Sequence, residues 1–323
     1  MKYVYVLTSS ENDIYYEQFL LSLTSMRIYN PDAEVIALID NTTKKNLTGK
    51  RSGYEKLVSE IKLINVPDEY SQKEASRWIK TSIHHHVPGE FLYIDCDTII
   101  AENLDCNFSS NIDIGAVLDT HITLENHHFR DNFQKEDLNA GFSSSLKTNR
   151  RYNGGLILFR DNVNASNFFE KWHSLWIDGR KRGCSQDMPS LNQANYEMGN
   201  VITELDGWWN CQISHNGLPY LQNAKVIHYF ATSLASFDPA FIPASNNTFF
   251  SIKAEGVIPD ELMKLLENPK SAFTERTRIV ADSAAFDIIE SSYFSKLLWL
   301  RKNHKRTFFL FDKIISGIKK PGG

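Results

Sequence analysis

Residues 91–98, Phe91-Leu92-Tyr93-Ile94-Asp95-Cys96-Asp97-Thr98, constrain this chain more than any other stretch. An apolar β-forming run of this kind predicts a buried strand, and it ends directly in two carboxylates separated by one small residue. In open α/β sheets, ligands bind beyond the carboxyl ends of strands, so acids delivered there face a cleft. Two such carboxylates suit a hard divalent cation, which prefers oxygen ligands and bridges to substrate phosphates. The plainer alternative is an acid pair that caps a turn. The apolar runs on both sides, continuing through Ile99-Ile100, argue against it.

The neighbouring sequence supplies the sheet that such a strand needs. Strands are expected at residues 3–7, 34–39, 61–66 and 90–94. Helices are expected at 14–29, with Phe19, Leu20, Leu23 and Met26 inward, and at 72–84. Asn30-Pro31-Asp32 stops the first helix. That alternation predicts parallel strands joined by crossover helices. Further strands are expected at 114–118, 156–159 and 225–230, with a helix over 164–177. The α/β rhythm ends near residues 239–243. The division is therefore a catalytic domain over 1–240 and a mostly helical segment over 241–323, with a helix near 283–302.

Composition narrows the class. The 323 residues are 42% hydrophobic and 23% charged with net charge −4, an ordinary globular balance that gives no reason to expect nucleic acid as a partner. Cys96, Cys106, Cys184 and Cys211 include no CxxC pair and suit a reducing cytosol. The N-terminal apolar run is too short for a signal-peptide core, and no stretch approaches the ~18 apolar residues of a membrane span. A cytoplasmic protein is expected.

Four pieces in series resemble glycosyltransferase family 8, the group of glycogenins and bacterial lipopolysaccharide galactosyl- and glucosyltransferases. They are Phe91 to Thr98, Tyr152-Asn153-Gly154-Gly155-Leu156-Ile157-Leu158-Phe159, Asp187 to Asn192, and Val226-Ile227-His228-Tyr229-Phe230. The resemblance runs from about residue 3 to 232. It implies the GT-A fold, a Rossmann-like mixed sheet flanked by helices, and a metal-dependent, retaining transfer of a hexose from a UDP-sugar. The implied acceptor is a glycan, a lipid-linked glycan or a lipooligosaccharide.

The resemblance also implies roles for residues. Asp95, Asp97 and His228 would bind Mn²⁺ or Mg²⁺; a histidine packed in a strand is the alternative for His228. Tyr15 stands where the family stacks a ring on uracil, with Thr8 and Asn12 near its edge, although a surface tyrosine of an amphipathic helix fits too. Arg77 and Lys80, one helical turn apart, share a face and reach donor phosphate or sugar, or else form a solvated face. Asn153 with Gly154 and Gly155 resembles the sugar-contacting segment, the glycines allowing close backbone approach or forming a bulge. Asp187 would orient or stabilise the reacting centre. His84, His85 and His86 are read as surface or packing residues, because consecutive residues are not expected to converge on one ion.

Two departures stand out. The family pattern Asp-Gln-x-x-Leu-Asn reads Asp187-Met188-Pro189-Ser190-Leu191-Asn192 here, with Gln186 adjacent. After His228, Ala231-Thr232-Ser233-Leu234 replace the usual continuation to a Gly and then Lys-Pro-Trp, so that lysine is missing. Both features keep open a donor-binding protein without turnover. A nucleotidyltransferase is a third reading, although Thr8-Ser9-Ser10-Glu11 replaces the glycine-rich basic loop it needs. The stretch Lys296 to Phe311 mixes cations with Trp and Phe, which suits the surface of an anionic membrane holding a lipid acceptor, or a docked helix with a solvated basic face.

Overall fold

The structure, a computed structural model, describes residues 1–105, 107–127, 130–213, 215–229, 246–273, 288 and 291–316. Cys106 and residues 231–234 lie outside them. The chain forms two compact units, Met1–Thr274 and Glu275–Gly323.

The first unit is built on a seven-stranded sheet of order β3-β2-β1-β4-β7-β6-β8. Its strands are β1 (Lys2–Leu7), β2 (Glu34–Asp40), β3 (Glu60–Ile64), β4 (Phe91–Ile94), β6 (Ile114–Leu118), β7 (Tyr152–Phe159) and β8 (Ile202–Glu204). A smaller sheet of order β5-β10-β9 joins β5 (Thr98–Ile100), β10 (Val226–His228) and β9 (Cys211–Gln212). The parallel rhythm holds through β1 to β4 and then breaks, because β7 runs antiparallel to both β4 and β6. All eight residues of β7 are buried, so the strand starts at Tyr152, four residues earlier than expected, and includes both glycines.

Period-two alternation splits the core. Tyr3, Tyr5 and Leu7 face α1 (Tyr15–Tyr29) and the small sheet, whereas Val4 and Val6 face Ile79, Ile83 and Trp172. Between β2 and β3 lies α2 (Asn41–Asn46), capped by Asp40, whose side chain accepts from Thr43 N. The expected helix over 72–84 is two, α3 (Gln72–Thr81) and α4 (Ile83–His86). Ser82 parts them, its hydroxyl donating to the Trp78 carbonyl at 2.8 Å in competition with the backbone ladder. A capping box between Ser71 and Glu74 starts α3.

Two short helices, α5 (Arg130–Asn139) and α6 (Ser144–Lys147), precede β7. After it come α7 (Val163–Lys181), capped by Asn162, and α8 (Asp187–Glu197), whose Pro189 sits in the first turn where no amide partner is lost. Helices α9 (Asn246–Glu255) and α10 (Asp260–Leu266) bury Phe249, Ile252, Leu262 and Leu266 in the same core as β1 and α1.

The second unit contains α11 (Ser292–Asn303) and α12 (Lys305–Ser316). Residues 283–287, 289 and 290 of the expected helix lie outside the described residues. Tyr293, Trp299, Phe309, Leu310 and Ile314 are exposed. Among the described residues no helix is long and apolar enough to cross a membrane.

Candidate active site

From β1 the chain winds outward to β2 and β3, then returns past β1 to β4, which makes the carboxyl ends of β1 and β4 a topological switch point. A cleft of about 600 Å³ opens there. It is lined by Leu7 and Thr8 at the end of β1, Tyr15 from α1, Gln72 and Arg77 from α3, Asp95 and Asp97 after β4, and Gln186 before α8. Cys96, which lines the cleft between the two acids, donates its thiol to Val6 O at 3.3 Å.

One rim is the loop from Ser9 to Tyr15. Asp13 accepts from Ser9 Oγ and Ser10 N, both at 2.7 Å, and from Gln72 Nε2 at 2.6 Å. Gln72 also donates to the Thr8 carbonyl, and Thr8 Oγ1 donates to the Gln72 carbonyl. Arg51 reaches under the loop to the carbonyls of Ser10 and Asp13 and makes a buried ion pair with Glu17 at 2.8 Å. Tyr15 is left 43% exposed with its ring along the cleft.

A second corner is a cluster of charges gathered around the buried Lys80 and Asp187. Lys80 Nζ lies 2.7 Å from Asp187 Oδ2 and 3.3 Å from Asp95 Oδ1, and Arg77 Nε lies 3.2 Å from Asp187 Oδ1. Burial opposes ionisation of Asp187, but the Lys80 and Arg77 charges outweigh it and hold the carboxyl well below the usual carboxylate range. Tyr93 donates its hydroxyl to Asp95. Gly154 is where a Cβ would crowd this group, 3.2 Å from Asp187 Oδ2 and 3.3 Å from Lys80 Nζ.

The third corner is a metal-ligand set. Ligand atoms of Asp95, Asp97 and His228 all lie within 4.8 Å of one another, brought together because His228 on β10 pairs with Thr98 on β5, the residue after Asp97. His228 Nε2 is 3.2 Å from Asp97 Oδ1, and Nδ1 is 3.0 Å from Asn210 Oδ1. Two carboxylates and an imidazole on one edge fit a divalent cation of the manganese or magnesium kind. At Gly155 a Cβ would stand 2.4 Å from His228 Cε1, so only glycine leaves the ring its place.

The expected residues therefore divide. Thr8, Tyr15, Arg77, Asp95 and Asp97 line the cleft; Asp187, Lys80, Gly154, Gly155, Asn153 and His228 form its buried support; Asn12 is exposed and is not part of the lining. Gln186 lines the cleft, whereas Met188 turns its sulfur toward Asn153. Lys225 donates to the Asn103 carbonyl and lies over the Trp209 ring. Asp13, Gln72, Arg51, Asp119 and Asn210 escaped the sequence reading. The expectation that neighbouring histidines do not converge is corrected: His84 Nε2 and His85 Nε2 lie 3.2 and 3.1 Å from the same Glu170 Oε1. The turn at α4 brings their ring centroids to 3.9 Å at a tilt of 37°, and one half-exposed carboxylate oxygen lies within reach of both.

The seven-stranded mixed sheet flanked by helices is the GT-A fold, and the family and structural matches that follow make this a glycosyltransferase. Residues 89–233, which hold Asp95, Asp97, Asn153, Asp187 and His228, match the family model described as Glycosyl transferase family 8. Among solved structures, an active-site mutant of LgtC with glutamine replaced by glutamate is 14% identical, with a TM-score of 0.50 over 81% of this chain and 99% of that one. The apo WbbM bifunctional glycosyltransferase is 13% identical, with a TM-score of 0.51; 83% of this chain aligns and spans about half, 51%, of that chain. Mouse xyloside xylosyltransferase 1, apo form, is 14% identical, with a TM-score of 0.47 over 72% and 98% of the two chains. No curated protein matches the chain in sequence.

Proposed function

We propose that the enzyme transfers a hexose, with retention, from a UDP-sugar to a glycan, a lipid-linked glycan or a lipooligosaccharide, using Mn²⁺ or Mg²⁺ held by Asp95, Asp97 and His228. The observation that carries this reading is the convergence of those three ligands within 4.8 Å beside the cleft at the switch point. A bound divalent ion supplies Lewis-acid stabilisation of the departing diphosphate.

The chain's own residues do the rest. Tyr15 offers a face for the uracil ring, and Arg77, held in line by Asp187, presents its guanidinium to the donor. Asp187 is committed to two cations, which suits an orienting role better than a nucleophilic one. Asn153, Gly154 and Gly155 shape the sugar end. The acceptor hydroxyl's proton passes to the departing phosphate on the same face. The LgtC mutant replaces an active-site glutamine; here Met188 has no amide, and the neighbouring Gln186 is the amide that lines the cleft wall. Exposed Trp299, Phe309 and Phe311 among Arg301, Lys302, Lys305 and Arg306 suit peripheral contact with an anionic cytoplasmic leaflet that presents a lipid-linked acceptor.

Met188 favours one second reading, a donor-binding protein without turnover. Isothermal titration of UDP with and without Mn²⁺, on wild type and Asp97→Asn, followed by a screen of UDP-sugars for UDP release, separates the cases. Metal-dependent binding lost in the variant, with turnover of one sugar, supports transfer. Binding without turnover supports the second reading, and metal-independent binding removes the role given to the three ligands.

A further inference from the structure

Behind His228 a file of buried side chains runs through the core with a fixed polarity. Its ends are groups whose hydrogen-bonding sense is set: the Asp119 carboxylate only accepts, and the Gly155 backbone N–H only donates. Asn153 lies between them, donating from Nδ2 to Asp119 Oδ1 at 3.0 Å and accepting at Oδ1 from Gly155 N at 2.8 Å. That decides which way its amide faces. Asn210 must then donate from Nδ2 to Asn153 Oδ1, at 3.0 Å, which leaves Asn210 Oδ1 as the atom 3.0 Å from His228 Nδ1. An acceptor there keeps the imidazole proton on Nδ1. Nε2 is then the nitrogen that faces Asp97 Oδ1 at 3.2 Å, and in the neutral ring its lone pair points to that edge.

The anchor of the file is itself held. Asp119 directly follows β6, beside two consecutive non-glycine residues in the left-handed region, Thr120 (φ 55°) and His121 (φ 60°). Gln212 clamps that turn, accepting from Thr120 N at 2.8 Å and donating to the Leu118 carbonyl at 2.7 Å. Strain of this kind persists where surrounding contacts over-determine it. The four members come from four separate elements, and all are buried, Asn210 completely.

We propose that Asn210 is a positioning residue: through the Asp119–Asn153–Asn210 file it fixes His228 in its Nδ1-protonated tautomer and so dedicates Nε2 to a divalent cation shared with Asp95 and Asp97. The inference deepens the metal assignment proposed above and rests on it. Partners one step behind a metal ligand commonly contribute ten- to a hundredfold in affinity.

The test reads the tautomer without metal. In ¹⁵N imidazole spectra of the metal-free protein, titrated upward until the His228 ring is neutral, wild type shows the Nδ1–H pattern. Asn210→Leu shifts it to Nε2–H, now donating to Asp97, and weakens Mn²⁺ binding by titration calorimetry at least tenfold. Asn210→Ser, too short to bridge Asn153 and His228, does the same if the leucine variant fails to fold. A wild type in the Nε2–H form, or an Asn210 variant that keeps both tautomer and Mn²⁺ affinity within about twofold, overturns the proposal. A wild type that binds no Mn²⁺ yet loses the Nδ1–H form in Asn210→Leu overturns the metal assignment and supports the file.

Discussion

The two buried corners of the site solve the same problem in opposite ways. Around Asp187, charge is balanced by charge: two cations from one face of α3 close on a carboxylate at the start of α8, with Asp95 drawn in. Around His228, neutral amides do the work, and what they transmit is direction rather than charge. Each corner is therefore fragile in its own way. Removing one partner of a buried ion pair strands the other in low dielectric and is felt as lost stability. Removing a link of a hydrogen-bonded file leaves a smaller folding penalty and is felt in the ligand the file aims.

The largest effect expected follows directly. Lys80→Met leaves Asp187 and Asp95 short of a buried cation and lowers stability in urea by about 3–5 kcal/mol, with much of the loss recovered in Lys80→Met/Asp187→Leu. A single-variant loss under about 1 kcal/mol would erase the contrast between the corners, since that is the scale of an exposed pair. Next, Gly155→Ala drives a methyl into the His228 ring and costs about 1–3 kcal/mol, the range for overpacking, together with Mn²⁺ affinity. Calorimetry against the same protein's urea midpoint shows whether the two losses travel together.

Acid separates the corners further. His121, in the turn that anchors the amide file, has its pKa pushed down to about 4 by burial and by His215 and His228, and it accepts from Gln212 N at 3.0 Å. Its folded pKa lies below the ordinary ~6.5, so the unfolded chain takes up the proton first; the contribution is whole above ~6.5 and is lost as pH falls toward 4. Asp187, also depressed, is unaffected until pH drops below the ordinary carboxylate value of ~4. The melting temperature should therefore fall by a few degrees between pH 6.5 and 4, and His121→Asn, which tolerates the left-handed backbone, should flatten that slope. The smallest effect is Tyr15→Ala, which leaves stability within about 0.5 kcal/mol and weakens UDP binding several-fold, as loss of one exposed stacking face would.

How much of this was legible depends on how far each residue's partner lies along the chain. Asp95 and Asp97 announce themselves because the strand that delivers them is contiguous with them. Gly155 was visible as a permissive residue, but not that His228 is what it makes room for. Asp119 and Asn210 gave no signal, being ordinary polar residues whose meaning comes from partners 34 and 57 positions away. Asp13 and Gln72 were missed for the same reason, at a separation of 59. Pairing the strand ahead of Asp95 with β7 in reverse likewise exceeded what local alternation encodes, since a strand's direction is decided by its neighbours and not by its residues.

The Arg51 brace under the Ser9–Tyr15 loop has a thermodynamic consequence. Loops that bind bases often settle only around the ligand, and the entropy of that settling is subtracted from affinity. Here Arg51, from 34 residues beyond Glu17, ties the loop's carbonyls to α1 as the sheet assembles, so the loop is ordered during folding. Association with a base at Tyr15 should accordingly carry a small unfavourable entropy, and loosening the brace should appear first as a slower on-rate rather than as a change in which base is preferred.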